Sequence, residues 1–363
     1  TEDSGNSPIL LSSGEAYSTI LFMDAGTQQR ITVTQTENNT FATTVDNAVT
    51  REYTYTFDSS SANSSQTVTF TNTRETGSLT LTKTVSSQLD ADQKGEYTFT
   101  IYLDADIHNY DTDGTTDLGY AATLTNCTAT EGVTDGKVKF TDGVATIKLK
   151  KTSNAMASIT IAGLPTGVDY TIVETAVDGM TTTVTTGSTN GTISTTAQTV
   201  GFTNTRDMGS LKVDKSVFVD GADKTSEYTS KTFYVKVKGV VNGTTYWVTS
   251  ANGVVSKKVS DPVLVAETGT PTIFAINPAV ANEVTFENLP VGEYTVIEVA
   301  DSTGTAIDAT HEPGDMGSMT FLAELSRTED GVTVANTGVN TASIVNAYTA
   351  GKYCIAVTKQ WLV

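Results

Sequence analysis

Short stretches of alternating hydrophobic and polar residues dominate this chain. Residues 96–102 (EYTFTIY) and 232–238 (TFYVKVK) are typical, with apolar side chains alternating with threonine or lysine. In a β-strand, this alternation places one set of side chains on a core face and the other on a face in contact with water. Turn-forming pairs such as Asp142-Gly143 and Asn252-Gly253 separate the runs, and we find no helical periodicity longer than about 10 residues. We therefore predict an all-β fold of tandem immunoglobulin-like β-sandwiches arranged end to end.

Composition narrows the classes of function. The chain has 363 residues and a formal net charge of -19, with 22 Lys and Arg against 41 Asp and Glu. This charge balance lacks the basic surface of a nucleic-acid-binding protein, and no apolar run approaches the roughly 18 residues that a membrane span needs. The 70 threonines fit exposed strand faces, because threonine favours strands and stays polar. We expect no nucleic acid, no membrane insertion and no cofactor.

Three short sequence words recur in the same order, which indicates a repeat. One word contains a lysine, the second a glutamate and the third an asparagine. The copies are GSLTLTK (77–83) and GSLKVDK (209–215), then LPTGVDYTIVE (164–174) and LPVGEYTVIE (289–298), then FTNTR (202–206) and IVNAY (344–348).

The words define predicted domain boundaries. Two whole units cover residues 77–206 and 209–348. Residues 1–74 contain a further asparagine word, with Asn72, and are predicted to be the C-terminal part of another unit. Residues 351–363 contain Lys359 in a run that is typical of a first strand.

The alternation places the lysines among core residues. Lys83 shares a strand face with Leu79 and Leu81, and the lysines at 215 and 359 have equivalent apolar neighbours. The glutamates (Glu174, Glu298) and asparagines (Asn204, Asn346) also share faces with apolar side chains. Burial of an uncompensated lysine is unfavourable, so the recurrence calls for an explanation.

Desolvation suggests a chemical role for these residues. Burial lowers the pKa of a lysine and raises that of a glutamate, which yields a neutral amine beside a protonated acid. Such an amine can attack an asparagine carboxamide held in contact with it, and the products are a Lys–Asn amide and ammonia. Two alternatives remain open: the lysines extend to solvent at edge strands and the glutamates form ordinary salt bridges, or a buried Lys–Glu ion pair is capped by asparagine without reaction.

The ordered words resemble the B-type repeat of Gram-positive collagen adhesins (Cna-B-like), which builds pilus shafts and adhesin stalks. The resemblance implies a β-sandwich with an intramolecular isopeptide bond. It implies that Lys83 and Lys215 donate the amines, that Asn204 and Asn346 accept them, and that Glu174 and Glu298 catalyse the reaction. It also implies an extracellular, cell-surface location and assembly with neighbouring copies in a fibre.

The chain ends carry incomplete sets of these residues. No lysine word precedes Asn72, and Gln35 and Glu37 both fall near the position expected for the glutamate. Lys359 of one copy could join Asn72 of the next, but too little chain precedes Asn72 for one donated strand to complete a unit. We expect instead that the sequence is a window on a longer array.

Other sites and functions fit the sequence less well. Asn109, Asp111, Asp113 and Asp117 resemble the start of a calcium loop, but Tyr120 stands where the bidentate glutamate belongs, so a solvated acidic turn is favoured. An adhesive module that recognises a host protein or glycan, with residues 301–340 as its binding insert, is the main alternative function. A hydrolytic enzyme is disfavoured, because the sequence offers no recognisable nucleophile, acid–base pair or metal set.

Overall fold

The computed structural model describes residues 26–35, 41–46, 48, 50–58, 65–111 and 114–351. The chain divides into two compact units, one of residues 1–76 with 165–167 and one of residues 77–164 with 168–363. Strands dominate both units, which confirms the all-β prediction. No helix of the described residues is long and apolar enough to cross a membrane.

The strands of the first part of the chain are β1 (Gln28–Thr34), β2 (Phe41–Val45), β3 (Glu52–Asp58) and β4 (Phe70–Arg74). They continue with β5 (Thr76–Ser86), β6 (Glu96–Leu103), β7 (Tyr120–Thr125), β8 (Cys127–Glu131), β9 (Lys137–Val138), β10 (Val144–Lys151), β11 (Ala157–Pro165), β12 (Asp169–Glu174), β13 (Met180–Thr186), β14 (Asn190–Thr192) and β15 (Gln198–Arg206).

The remaining strands are β16 (Met208–Val219), β17 (Ala222–Asp223), β18 (Phe233–Val241), β19 (Thr244–Thr249), β20 (Lys258–Val259), β21 (Val263–Ala266), β22 (Phe274–Ile276), β23 (Glu283–Pro290), β24 (Gly292–Val299), β25 (Thr320–Phe321), β26 (Glu329–Val334) and β27 (Val339–Thr349). The helical segments are single turns: α1 (Asp90–Gln93) and two 3-10 turns (Thr225–Glu227, Ala323–Leu325).

Strands β5 to β15 form the first sandwich. One sheet has the order β14-β12-β6-β10-β8 and the other has the order β13-β15-β5-β11-β7-β9. Side chains from both sheets meet in one core, including Leu81 of β5, Phe99 of β6, Ile147 of β10 and Ile161 of β11. The burial along β5 alternates with a period of two, as the sequence pattern predicts.

Strands β16 to β27 form the second sandwich. Its sheets have the orders β20-β23-β16-β27-β25 and β21-β19-β18-β24-β26, with β17 paired to β16 and β22 paired to β18. The core again receives side chains from both sheets, among them Val213 of β16, Phe233 of β18 and Ile344 of β27.

In each sandwich the first and last strands are parallel neighbours. β5 pairs with β15 so that Lys83 lies opposite Phe202, and β16 pairs with β27 so that Lys215 lies opposite Ile344. The asparagine therefore follows the residue opposite the lysine by two positions in both sandwiches. Because side chains alternate along a strand, this register places lysine and asparagine on the same core face.

The N-terminal unit has four described strands in two antiparallel pairs, β1 with β3 and β2 with β4. The last four strands of the first sandwich pair in the same way, β12 with β14 and β13 with β15. Thr43 lies opposite Asn72 in the N-terminal unit, as Thr182 lies opposite Asn204. The two regions share this pairing, and the assignment of residues 1–74 to the C-terminal part of a unit stays a prediction.

Candidate functional site

The first cluster forms where two sheets face each other. Lys83 of β5 and Asn204 of β15 belong to one sheet, and Glu174 ends β12 in the opposite sheet. Lys83 and Asn204 are fully buried, and the Glu174 side chain is 1% exposed. The fold thus brings together three polar residues from distant parts of the sequence.

Both nitrogen atoms of this cluster converge on one carboxylate oxygen. Nζ of Lys83 donates to Oε1 of Glu174 at 2.6 Å, and Nδ2 of Asn204 donates to the same atom at 2.8 Å. Oε2 of Glu174 and Oδ1 of Asn204 are buried without a hydrogen-bond partner among the described residues. Nζ of Lys83 also lies 4.6 Å from the centre of the Tyr97 ring, which stabilises its positive form.

The second cluster repeats this arrangement with small differences. Nζ of Lys215 lies 3.1 Å from Oε1 of Glu298, within ion-pair distance but without the geometry of a hydrogen bond. Nδ2 of Asn346 donates to the same oxygen at 3.0 Å. The Phe233 ring takes the position of Tyr97, with its centre 4.6 Å from the Lys215 nitrogen. The side chains of Lys215, Glu298 and Asn346 are all buried.

Burial shifts the pKa values of both lysines and of Glu298. Desolvation is the main cause that lowers the pKa of Lys83 to about 8, although Glu174 opposes it. Desolvation likewise lowers the pKa of Lys215 to about 8 against the opposing effect of Glu298. It also raises the pKa of the Glu298 carboxyl. Charged and neutral forms of the second pair therefore come closer in free energy than in water.

These observations decide one of the alternatives left open above. The lysine side chains are 0% exposed, so extension of their ammonium groups to solvent is excluded. A buried Lys–Glu pair beside an asparagine carboxamide remains, and it is compatible with a stable ion pair or with amide formation.

Asn72 of the N-terminal unit has different neighbours. Its Oδ1 accepts hydrogen bonds from Nε2 of Gln35 and Oγ1 of Thr43, each at 2.8 Å, and the residue is exposed. Gln35, one of the two sequence candidates, thus contacts Asn72. Glu37 and Lys359 lie outside the described residues.

The acidic turn that resembles the start of a calcium loop is held by hydrogen bonds to its own backbone. Oδ1 of Asp117 accepts the backbone N–H groups of Asn109 and Gly119, and Oδ1 of Asp111 accepts those of Thr115 and Thr116. Asp113 lies outside the described residues. No group of three or more potential metal-binding His, Cys, Asp or Glu side chains occurs in the part of the chain that the structure describes.

Sequence reasoning missed three buried polar residues near the clusters. Lys151 is 1% exposed, its Nζ donates to the Ala155 carbonyl, and its charge lowers the pKa of Lys83. Arg206 pairs with Asp92 through bonds of 2.9 and 2.5 Å. Tyr348 contacts Asn346. Arg206 and Tyr348 both stand two residues after the asparagine of the third repeated word, so the repeat itself carried a signal for them.

A family profile described as a domain of unknown function (DUF7601) matches residues 77–206. No curated protein matches the chain.

Several similar solved structures are pilus proteins. The pilus-presented adhesin Cpa is 27% identical over 36% of this chain, with a TM-score of 0.24, and this chain spans only 27% of that adhesin. The major pilin of Streptococcus pyogenes is 16% identical over 75% of this chain and 98% of its own, with a TM-score of 0.33. The minor pilin GBS52 of Streptococcus agalactiae is 10% identical over 77% of this chain and 99% of its own, with a TM-score of 0.26. The chain is therefore similar, at low identity, to pilins and pilus adhesins of Gram-positive bacteria.

Proposed function

We propose that this chain is a structural segment of an extracellular fibre on a Gram-positive cell surface, a pilus shaft or adhesin stalk. Each of its two sandwiches would be locked by an autocatalytic isopeptide bond, Lys83 to Asn204 and Lys215 to Asn346. The observation that carries this proposal is the convergence, twice, of a buried lysine nitrogen and an asparagine nitrogen on one glutamate oxygen.

The reaction is an amide exchange that needs no cofactor. Nζ transfers a proton to the glutamate carboxylate, and the neutral amine attacks Cγ of asparagine. The carboxyl gives its proton to Nδ2 as the Cγ–Nδ2 bond breaks. The carboxylate then takes up the second proton that Nζ loses as the amide forms, and it passes this proton to the departing ammonia, which leaves as ammonium. The glutamate ends in its starting state, and each site reacts once. Folding supplies the proximity that makes this possible without an enzyme.

The bond would join the first strand of each sandwich to the last. Tension that enters along one strand would pass to the other through a covalent link, and most of the sheet hydrogen bonds would carry no load. Unlike a disulfide, an amide resists reduction. Neighbouring copies or further repeats of the same protein are the partners expected in such a fibre.

Intact mass under denaturing conditions tests the proposal. The wild-type chain is expected to be lighter than its sequence mass by two molecules of ammonia. Glu174→Ala and Glu298→Ala should each restore one ammonia, and digestion should lose the corresponding branched peptide. Glu131→Ala is the matched control, because Glu131 pairs with Lys148 at an exposed site. A folded wild-type chain with the unreacted mass would overturn the proposal.

A further inference from the structure

Tyr348 lies beside the second cluster, and the first cluster has no tyrosine at the equivalent position. It follows Asn346 by two residues on β27, so both side chains point to the same face of the sheet. The tyrosine is 1% exposed. Its ring packs against Phe321 of β25, with ring centres 5.5 Å apart.

The Tyr348 hydroxyl is held from both sides. It donates a hydrogen bond to the carbonyl of Pro313 at 2.7 Å. Because its only hydrogen points to Pro313, its oxygen accepts from Nδ2 of Asn346, at the long distance of 3.5 Å. Burial raises the pKa of Tyr348, and the Glu298 charge adds to this effect, so the phenol stays neutral. Pro313 and Phe321 belong to the insert after β24, which therefore supports the cluster.

The first cluster lacks this second contact. Arg206 stands at the equivalent position, but its guanidinium donates to Asp92 and to the carbonyls of Asp178 and Gly179. Among the described residues, Nδ2 of Asn204 donates to Glu174 and to no second acceptor. Both amide hydrogens are thus engaged at Asn346, and one is engaged at Asn204.

We propose that Tyr348 is a positioning residue for the Asn346 carboxamide, an inference that rests on the proposed isopeptide function. A primary amide is planar, so two fixed N–H bonds set the orientation of the whole group. Glu298 and Tyr348 together hold the plane of the Asn346 amide, and this selects the face of Cγ that Nζ of Lys215 meets. Nδ2 is also the atom that departs as ammonia, so the hydroxyl stands next to the leaving group.

The rate of link formation tests this inference with Tyr348→Phe, which removes only the hydroxyl. Chains are made in a cell-free system, synthesis is stopped, and samples are taken over time. Limited proteolysis removes unfolded chains, and peptide masses then give the fraction of each link in folded molecules. The second link should form about fivefold more slowly, the effect of one hydrogen bond on a barrier. The Lys83–Asn204 link should keep its wild-type rate.

Tyr294→Phe is the matched control. Tyr294 is equally buried in the same sandwich, and its hydroxyl donates to the Pro290 carbonyl at 2.7 Å, away from the cluster. A purely structural effect of losing a buried hydroxyl would slow the second link in both variants. Equal slowing, or an unchanged rate in Tyr348→Phe, overturns the positioning role while the proposed function stands. Absence of both links from wild type would overturn the two together.

Discussion

Arg206 and Tyr348 occupy the same position in two copies of one fold and perform different tasks. Arg206 is fully buried against Asp92 of α1, next to Leu89, which packs into the core of the second sandwich. Tyr348 contacts the asparagine of its own sandwich. The lysine, glutamate and asparagine lie in similar positions in both copies, whereas the residue two positions after the asparagine contacts Asp92 in one copy and Asn346 in the other.

The surroundings of the two lysines differ in a second way. Lys83 has another buried lysine, Lys151, close enough to lower its pKa. The pKa of Lys215 responds to burial and to Glu298 alone. The pKa of each lysine is therefore lowered by a different set of neighbours, and this comparison can be tested by changing those neighbours one at a time.

Removal of the links should have the largest effect on stability. Asn204→Ala and Asn346→Ala each leave the Lys–Glu pair in place but remove the acceptor. Loss of a link that closes a loop of about 120 to 130 residues should lower the free energy of unfolding of the altered sandwich by about 5 kcal/mol. Denaturant titration followed by hydrogen exchange in each sandwich measures this loss. Unchanged stability in both variants would mean that the native chain holds no such links.

Substitutions at the position two residues after the asparagine should have unequal effects on stability in the two sandwiches. Arg206→Leu leaves Asp92 buried without its partner and should destabilise the first sandwich by about 4 kcal/mol. Tyr348→Phe removes one buried hydroxyl and should destabilise the second by about 1 kcal/mol. Thermal unfolding compares them, with the double change Arg206→Leu and Asp92→Leu as control, which should recover most of the stability. Similar losses in the two copies would contradict the division of roles.

The unlinked variants should also depend on pH. The folded lysine has a pKa of about 8, below its ordinary value of 10.5, so between these values the unfolded chain binds a proton that the folded chain lacks. Stability should therefore rise with pH in this window, by about 2 kcal/mol per site between pH 8 and 10. A linked lysine is an amide and does not titrate, so wild type lacks this rise. Free energies of unfolding, measured between pH 8 and 10 in wild type and in Asn346→Ala, test this prediction. A variant whose stability does not rise would contradict it.

Lys151 should have the smallest effect, confined to the first site. Lys151→Met removes a positive charge that lowers the pKa of Lys83, so less of that amine is neutral at a given pH. The first link should form about twofold more slowly and the second at its wild-type rate. The time course used for Tyr348 measures both, with Lys148→Met, at an exposed salt bridge, as control. A slower second link would show that the effect is not local.

The residues of the candidate clusters could be predicted because side chains in a β-strand alternate strictly between its two faces. Leu79 and Leu81 mark the core face of β5, and Lys83 continues it; the same logic applies to Asn204 after Phe202. Because the words recur, the buried lysine could be recognised as a repeated feature of the fold. Tyr348 and Lys151 were missed because an aromatic residue or a lysine near a strand end is ordinary in sequence, and only its neighbours in space make it special.

By itself, the sequence determined the strands, their inward faces and the identity of the three recurring polar residues, because alternation along a strand is a local property. Only the tertiary structure decided that β5 and β15 are parallel neighbours and that Glu174 meets them from the opposite sheet. It also decided that the Tyr348 hydroxyl contacts Asn346, whereas the Arg206 guanidinium pairs with Asp92. Burial, and with it the shifted proton affinity of each lysine, depends on the sum of contacts from strands far apart in the chain, which no local pattern records.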